Sequence, residues 1–145
     1  LIRSPFFPLD HICYRVKTLD EYKEYKELFI SQSRLYTEKF FHERHFHAFV
    51  LKEPLVYKSA KFYYLEFAEP GGSDSYERGF QHIEFLTNKH WEDMLTKDLL
   101  IKYLYESKNG ERYIKYEDKI AIKITDTPQI TYALLEDNSK IFVNR

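Results

Sequence analysis

Lys61-Phe-Tyr-Tyr-Leu-Glu66-Phe-Ala-Glu-Pro70 and, beyond a Gly/Ser turn, Gly79-Phe-Gln-His82-Ile-Glu84-Phe85 form the stretch on which the fold turns. Two strand-like apolar runs, each holding a residue of metal-ligand type, flank Pro70-Gly71-Gly72-Ser73, the clearest loop signal in the chain. The second run echoes Leu9-Asp-His11-Ile-Cys-Tyr-Arg15-Val16, since in both a histidine followed by isoleucine opens an alternating apolar run. In the N-terminal copy the two-residue period of a strand puts His11, Cys13 and Arg15 on one face and Ile12, Tyr14 and Val16 on the other.

Between these runs the chain reads as local structure of the ordinary kinds. Thr18-Leu-Asp-Glu21 is a capping box, and Leu19, Tyr22, Tyr25, Leu28 and Phe29 follow at helical spacing. Residues 35–52 read as two strands with a break at 41–44, and Glu53-Pro54 is expected to end the second, because proline cannot donate to a ladder. After the Gly/Ser loop the order recurs. A strand over Phe80 to Leu86 leads to a helix from about Asn88 to Tyr105, with Trp91, Met94, Leu95 and Leu99 on one side, and to a Lys108-Asn109-Gly110 turn. Strands follow at Arg112 to Tyr116, Lys119 to Thr125 and Ile130 to Leu135, while Ile141 to Val143 is an apolar tail without a place.

A same-order recurrence is the mark of internal duplication. The interval from His11 to Glu66 matches that from His82 to Glu136 to within one residue, so each half would contribute a histidine from its first strand and a glutamate from its last. The expected organisation is a single domain over 1–145, with module one at about 9–70 and module two at about 79–136.

Composition sets bounds on function. At 145 residues with 43% hydrophobic and 18% aromatic content, the chain is long enough for a core of its own. Most of its aromatic residues, Tyr63, Tyr64, Phe80 and Trp91 among them, are expected in the core between helix and sheet. Its 22 basic and 23 acidic residues cancel, so no global field recruits nucleic acid or an anionic membrane, and the expected partner is a small molecule. No apolar run approaches the length of a membrane span. The single cysteine, Cys13, cannot form an internal disulfide, which favours a reducing, cytoplasmic setting, and Cys13 itself reads as a small buried filler. The chain starts at Leu1 rather than Met, so a fragment lacking upstream residues is expected.

Two histidines with one or two carboxylates suit borderline divalent ions such as Zn, Fe, Mn or Ni, and leave positions open for substrate or water. Glu66, flanked by Tyr64, Leu65 and Phe67, would be costly to bury without a cation; the alternative to a metal is an ion pair with Arg15. Glu84 shares the face of His82 and is open to three roles: an acceptor behind the ligands, a general base, or a partner for Arg15. Arg15 could neutralise a substrate carboxylate or bridge Glu66 or Glu84. His42, His45 and His47 read as solvated or packed polar residues, with His47 and Arg44 as candidates for a pocket lining.

Leu9-Asp-His-Ile-Cys-Tyr-Arg15, Phe49-Val-Leu-Lys-Glu-Pro54, Tyr64-Leu-Glu66-Phe-Ala-Glu-Pro-Gly71 and Gly79-Phe-Gln-His-Ile-Glu84 together resemble the YecM-like branch of the glyoxalase/bleomycin-resistance/dioxygenase (vicinal oxygen chelate) superfamily. The resemblance implies an α+β fold of two βαβββ modules forming an incomplete mixed β-barrel, with helices packed outside and a divalent metal ion enclosed. It carries over as metal ligands His11, Glu66 and His82, with Glu136 as a fourth where YecM-like proteins have a histidine. It also implies a helical segment ahead of the first strand, which is expected to be missing from this sequence. The expected activity is that of an isomerase, lyase or dioxygenase on a small oxygen-rich molecule, with Glu84 and Arg15 in the chemistry. A small-ligand or metal-binding protein of the same fold is the other reading. Two modules in one chain make a monomer feasible, with a homodimer as the alternative.

Overall fold

A computed structural model of the chain describes residues 9–41, 43–58, 60–71, 77–86, 104–106, 112–116, 120–125 and 140–143. The described residues form one helix, α1 (Leu19–Ser31), and nine strands: β1 (Leu9–Arg15), β2 (Ser33–Phe41), β3 (Arg44–Tyr57), β4 (Ala60–Ala68), β5 (Gly79–Leu86), β6 (Leu104–Glu106), β7 (Arg112–Tyr116), β8 (Ile120–Thr125) and β9 (Lys140–Val143). The strands make one open mixed sheet in the order β6-β7-β8-β5-β1-β4-β3-β2-β9. This is an α+β arrangement, mostly β among the described residues. No helix among them is long and apolar enough to cross a membrane.

The helix forms where the capping box places it. Thr18 Oγ1 accepts from the Glu21 amide at 3.2 Å, and Glu21 Oε2 reaches back to the amides of Lys17 and Thr18. Three amides at the helix start are thereby satisfied. The face turned to the sheet carries Tyr22, Tyr25 and Phe29, whereas Leu19 and Leu28 point outward at 52% and 48% exposure. The apolar stripe is therefore narrower than its spacing predicts.

Strand β1 is the hinge of the sheet, parallel to β4 on one side and antiparallel to β5 on the other. Its outer neighbours repeat this sense, with β3 antiparallel to β4 and β8 parallel to β5. The helix-facing side holds the core: Ile12, Val16, Tyr22, Phe49, Leu51, Phe62, Leu65 and Phe67. Phe67 is fully buried, with its ring 5.4 Å from Tyr22 and 5.2 Å edge-on to Phe29. Tyr63, Tyr64 and Phe80 are not part of this core; each is more than a third exposed. Trp91 lies outside the described residues.

Three further expectations are corrected. Pro54 does not end β3, which runs on to Tyr57. The β3–β4 register slips between Val50 and Leu55, so Pro54 sits in an unpaired bulge where its missing N–H forfeits no ladder bond. The helix expected to reach Tyr105 does not include it, since Leu104–Glu106 is a strand paired antiparallel with Arg112–Ile114. Residues 87–103 and the strand expected at 130–135 lie outside the described residues. Finally, the unplaced tail is β9, antiparallel to β2, with Phe142 stacked on Tyr36 at 4.8 Å.

Candidate metal centre

The centre lies on the sheet face opposite α1. The register sets Cys13 between Glu66 of β4 and His82 of β5, and sets His11 opposite Glu84, which in turn lies opposite Lys123 of β8. Alternation along β1, β4 and β5 thus delivers His11, Glu66, His82 and Glu84 to one surface. His11, His82 and Glu84 are all buried, as are Cys13 and Arg15.

His11 Nδ1 is 2.7 Å from Asp10 Oδ2, and its Nε2 faces Glu66 Oε2 at 3.6 Å and Glu84 Oε2 at 3.8 Å. The His82 ring stands edge-on to that of His11 at 5.7 Å, with its Nδ1 3.3 Å from Gln81 Oε1. Nε2 of both rings is buried without a hydrogen-bond partner among the described residues. Ligand atoms of His11, His82 and Glu84 lie within 4.8 Å of one another, and so do those of Cys13, Glu66 and His82.

The charges sort the groups. Burial pushes the Glu84 carboxyl up to about 7, with His11 and Lys123 pulling the other way, so Glu84 changes protonation state near neutrality. Burial acts upward on Glu66 too, but the Arg15 guanidinium, 2.6 Å from Oε1, and the nearby histidines hold it well below the usual carboxylate range. His82 is driven down to about 3, chiefly by burial, and is neutral. Burial also pulls on His11, yet the hydrogen bond to Asp10 and the charges of Glu66, Glu84 and Asp10 outweigh it and raise its pKa. Burial lifts the Cys13 thiol well above its ordinary value, which keeps it protonated and fits the filler role.

Of the residues expected in the site, His11, Glu66, His82, Glu84 and Arg15 come together, and Arg15 pairs with Glu66 rather than Glu84. Glu136 and His42 lie outside the described residues. His47 does not line this site. It faces α1, fully buried, with Nε2 2.6 Å from the Tyr22 hydroxyl and Nδ1 3.2 Å from the Thr37 carbonyl. Arg44 lies against Phe46, 4.8 Å from its ring centroid, and the Arg15 guanidinium is 6.0 Å from the same centroid. Asp10, Gln81 and Lys123 escaped the sequence reading. The signal for the first two was present, as each immediately precedes one of the paired histidines.

His11, His82 and Glu84 offer two buried imidazole nitrogens and a carboxylate, with Glu66 Oε2 3.6 Å from His11 Nε2, and the nitrogens have no hydrogen-bond partner among the described residues; these are donor types that a borderline divalent cation accepts. A family model described as YecM protein matches residues 2–143. No curated protein matches the sequence. A solved structure described as "Structural Genomics, Protein EC4020" is similar at 21% identity with a TM-score of 0.68, covering 86% of this chain and 73% of that one. At that identity the likeness is one of fold.

Proposed function

The chain belongs to the YecM family, and from that premise and the geometry above we propose that it is a divalent-metal-dependent enzyme acting on a small oxygen-rich molecule, of isomerase, lyase or dioxygenase type. One observation carries the reading. Nε2 of His11 and Nε2 of His82 are buried with no hydrogen-bond partner among the described residues, and carboxylates stand beside them. Leaving a buried polar atom unsatisfied costs roughly 1–3 kcal/mol, so two on one surface ask for a shared occupant. His11, His82 and Glu66 would hold it; Glu136, the expected fourth ligand, lies outside the described residues and beyond β8, the strand that matches β4.

Placement in the vicinal oxygen chelate superfamily is part of the proposal. Its support is the repeated strand order: β1-β4-β3-β2 in the first half is matched by β5-β8-β7-β6 in the second, with a parallel first pair each time. On this reading two βαβββ modules meet along β1 and β5, and the centre spans their junction. A divalent ion held there would supply Lewis-acid chemistry toward the substrate's oxygens.

The chain's own residues do the rest. Glu84 is buried beside His11, with Oε2 3.8 Å from Nε2, and can take a proton from substrate and return it. Arg15 holds Glu66 Oε1 so that Oε2 stays turned to His11, and its positive charge favours an anionic substrate. His11, His82 and Glu84 are themselves buried, which limits the access of bulk water to the groups that would act.

Elemental analysis of protein purified without added metal tests the proposal. Stoichiometric metal, lost in His82→Ala, is the expected result; no uptake of zinc, iron, manganese or nickel at any supplied concentration by a folded protein would sink it. Glu84→Gln separates an enzyme from a carrier, as it abolishes turnover in the first and changes only affinity in the second.

A further inference from the structure

Both histidines of the centre use a device that strand alternation forbids. Successive side chains of a regular strand leave on opposite faces, so the residue before a site histidine should point away from it. Yet Asp10 Oδ2 lies 2.7 Å from His11 Nδ1, and Gln81 Oε1 lies 3.3 Å from His82 Nδ1.

The pairing of β1 with β5 explains both contacts. The register slips between Leu9 and His11, which oppose the consecutive residues Phe85 and Glu84, so Asp10 is the extra residue of a bulge on β1. It slips again between Cys13 and Tyr14, which oppose His82 and Phe80, so Gln81 is the extra residue of a bulge on β5. A bulge bends its strand and re-aims the side chain it carries. Here it does so twice, each time on the residue preceding a histidine.

We propose that Asp10 and Gln81 are paired positioning residues, each a bulged residue whose side-chain oxygen accepts the Nδ1 proton of the next histidine, so that Nε2 of both rings presents its lone pair to the centre. A carboxylate can only accept, and an amide oxygen does the same, so both fix one tautomer. The Cys13 thiol, 3.9 Å from Gln81 Oε1, helps hold that oxygen in place. The lone pairs so exposed are the two buried Nε2 atoms without hydrogen-bond partners among the described residues.

The two devices differ in one respect. Asp10 brings a charge and a short bond, and Gln81 a neutral and longer one, so His11 is made the stronger donor to a cation. The tautomer assignment stands on geometry alone; its purpose, presenting ligands to a metal, rests on the function proposed above.

Two readouts test it. Ring-nitrogen NMR of the metal-free protein at alkaline pH reports the tautomers, and calorimetry with zinc alone reports affinity, for wild type, Asp10→Leu and Gln81→Met. Asp10→Asn and Gln81→Glu keep an acceptor oxygen and serve as rescues. We expect both rings to carry the proton on Nδ1 in wild type, and Gln81→Met to shift His82, and Asp10→Leu His11, toward the other tautomer. Zinc binding should weaken about 10- to 100-fold in both variants, more for Asp10→Leu, and return close to wild type in the rescues. Should Asp10→Leu not fold, Gln81→Met decides, because Gln81 is only half-buried. Wild-type rings protonated on Nε2, or variants that leave tautomer and affinity unchanged, would overturn the proposal. Tautomers that respond as stated in a protein that takes up no zinc would uphold the positioning role and reject the metal reading.

Discussion

His47→Phe separates the helix side of the sheet from the face that carries the proposed metal centre and gives a pH signature of known sign. His47 is fully buried; its Nδ1–H donates to the Thr37 carbonyl and its Nε2 accepts from the Tyr22 hydroxyl, so the fold needs it neutral. Burial, with Lys26 nearby, pushes its pKa down to about 4 from an ordinary 6.5. The unfolded chain therefore takes up this proton first as the pH falls. The stability that neutral His47 contributes is present above pH 6.5 and is lost as the pH drops toward about 4. At about 1.4 kcal/mol per tenfold change, the whole loss is about 3 kcal/mol. At neutral pH, His47→Phe is less stable than wild type by about 1–3 kcal/mol, because the Tyr22 hydroxyl is left without its acceptor. On acidification the wild-type advantage shrinks and the two proteins converge. Urea unfolding of both across this pH window measures the difference directly. His11, His82 and Glu84 titrate in both proteins, so to first order their contribution cancels. A difference that stays constant with pH would refute the assignment of a neutral, structurally required His47.

Other perturbations address separate parts of the account. Arg15→Met removes the cation 2.6 Å from Glu66, whose side chain keeps 25% of its surface exposed; the loss should therefore fall below that of a fully buried pair, at about 1–3 kcal/mol by chemical denaturation. Phe67→Ala, at the junction of Tyr22, Phe29 and β4, should cost about 3–5 kcal/mol, and a loss under 1 kcal/mol would show that this face is not the core. Thr18→Ala removes one half of the capping box and should lower stability by about 1 kcal/mol while leaving zinc affinity unchanged.

The parts of the fold legible in the sequence are those written in local chemistry. The alternation of Ile12 to Val16, the Thr18-Glu21 capping box and the turn after Phe41 each depend on a handful of neighbouring residues, and each appears where expected. The misreadings depend on distant partners. Pro54 looks like a strand end until the slip between β3 and β4 is known, and Ile141 to Val143 has no meaning without β2. His47 reads as one more polar residue beside His42 and His45, because Tyr22, its partner, comes from the helix 25 positions away.

The same division holds at the centre. That His11, Glu66 and His82 share one surface is legible because a strand keeps alternate side chains on one face and the two runs echo each other. The ion pair of Arg15 with Glu66, one of the alternatives open in the sequence, is formed, and it leaves Oε2 of Glu66 facing His11. Asp10 and Gln81 were hidden by the alternation rule itself, since a bulge is a property of two paired strands and not of either sequence alone.

The most direct test of the central claim is an anomalous-scattering map from crystals of the zinc-loaded protein, collected at the zinc edge. The account predicts one strong peak on the sheet face opposite α1, bonded to Nε2 of His11, Nε2 of His82 and a carboxylate oxygen of Glu66. A loaded crystal whose only peaks lie elsewhere, or in which both Nε2 atoms hydrogen-bond to water or protein with no metal between them, would contradict it.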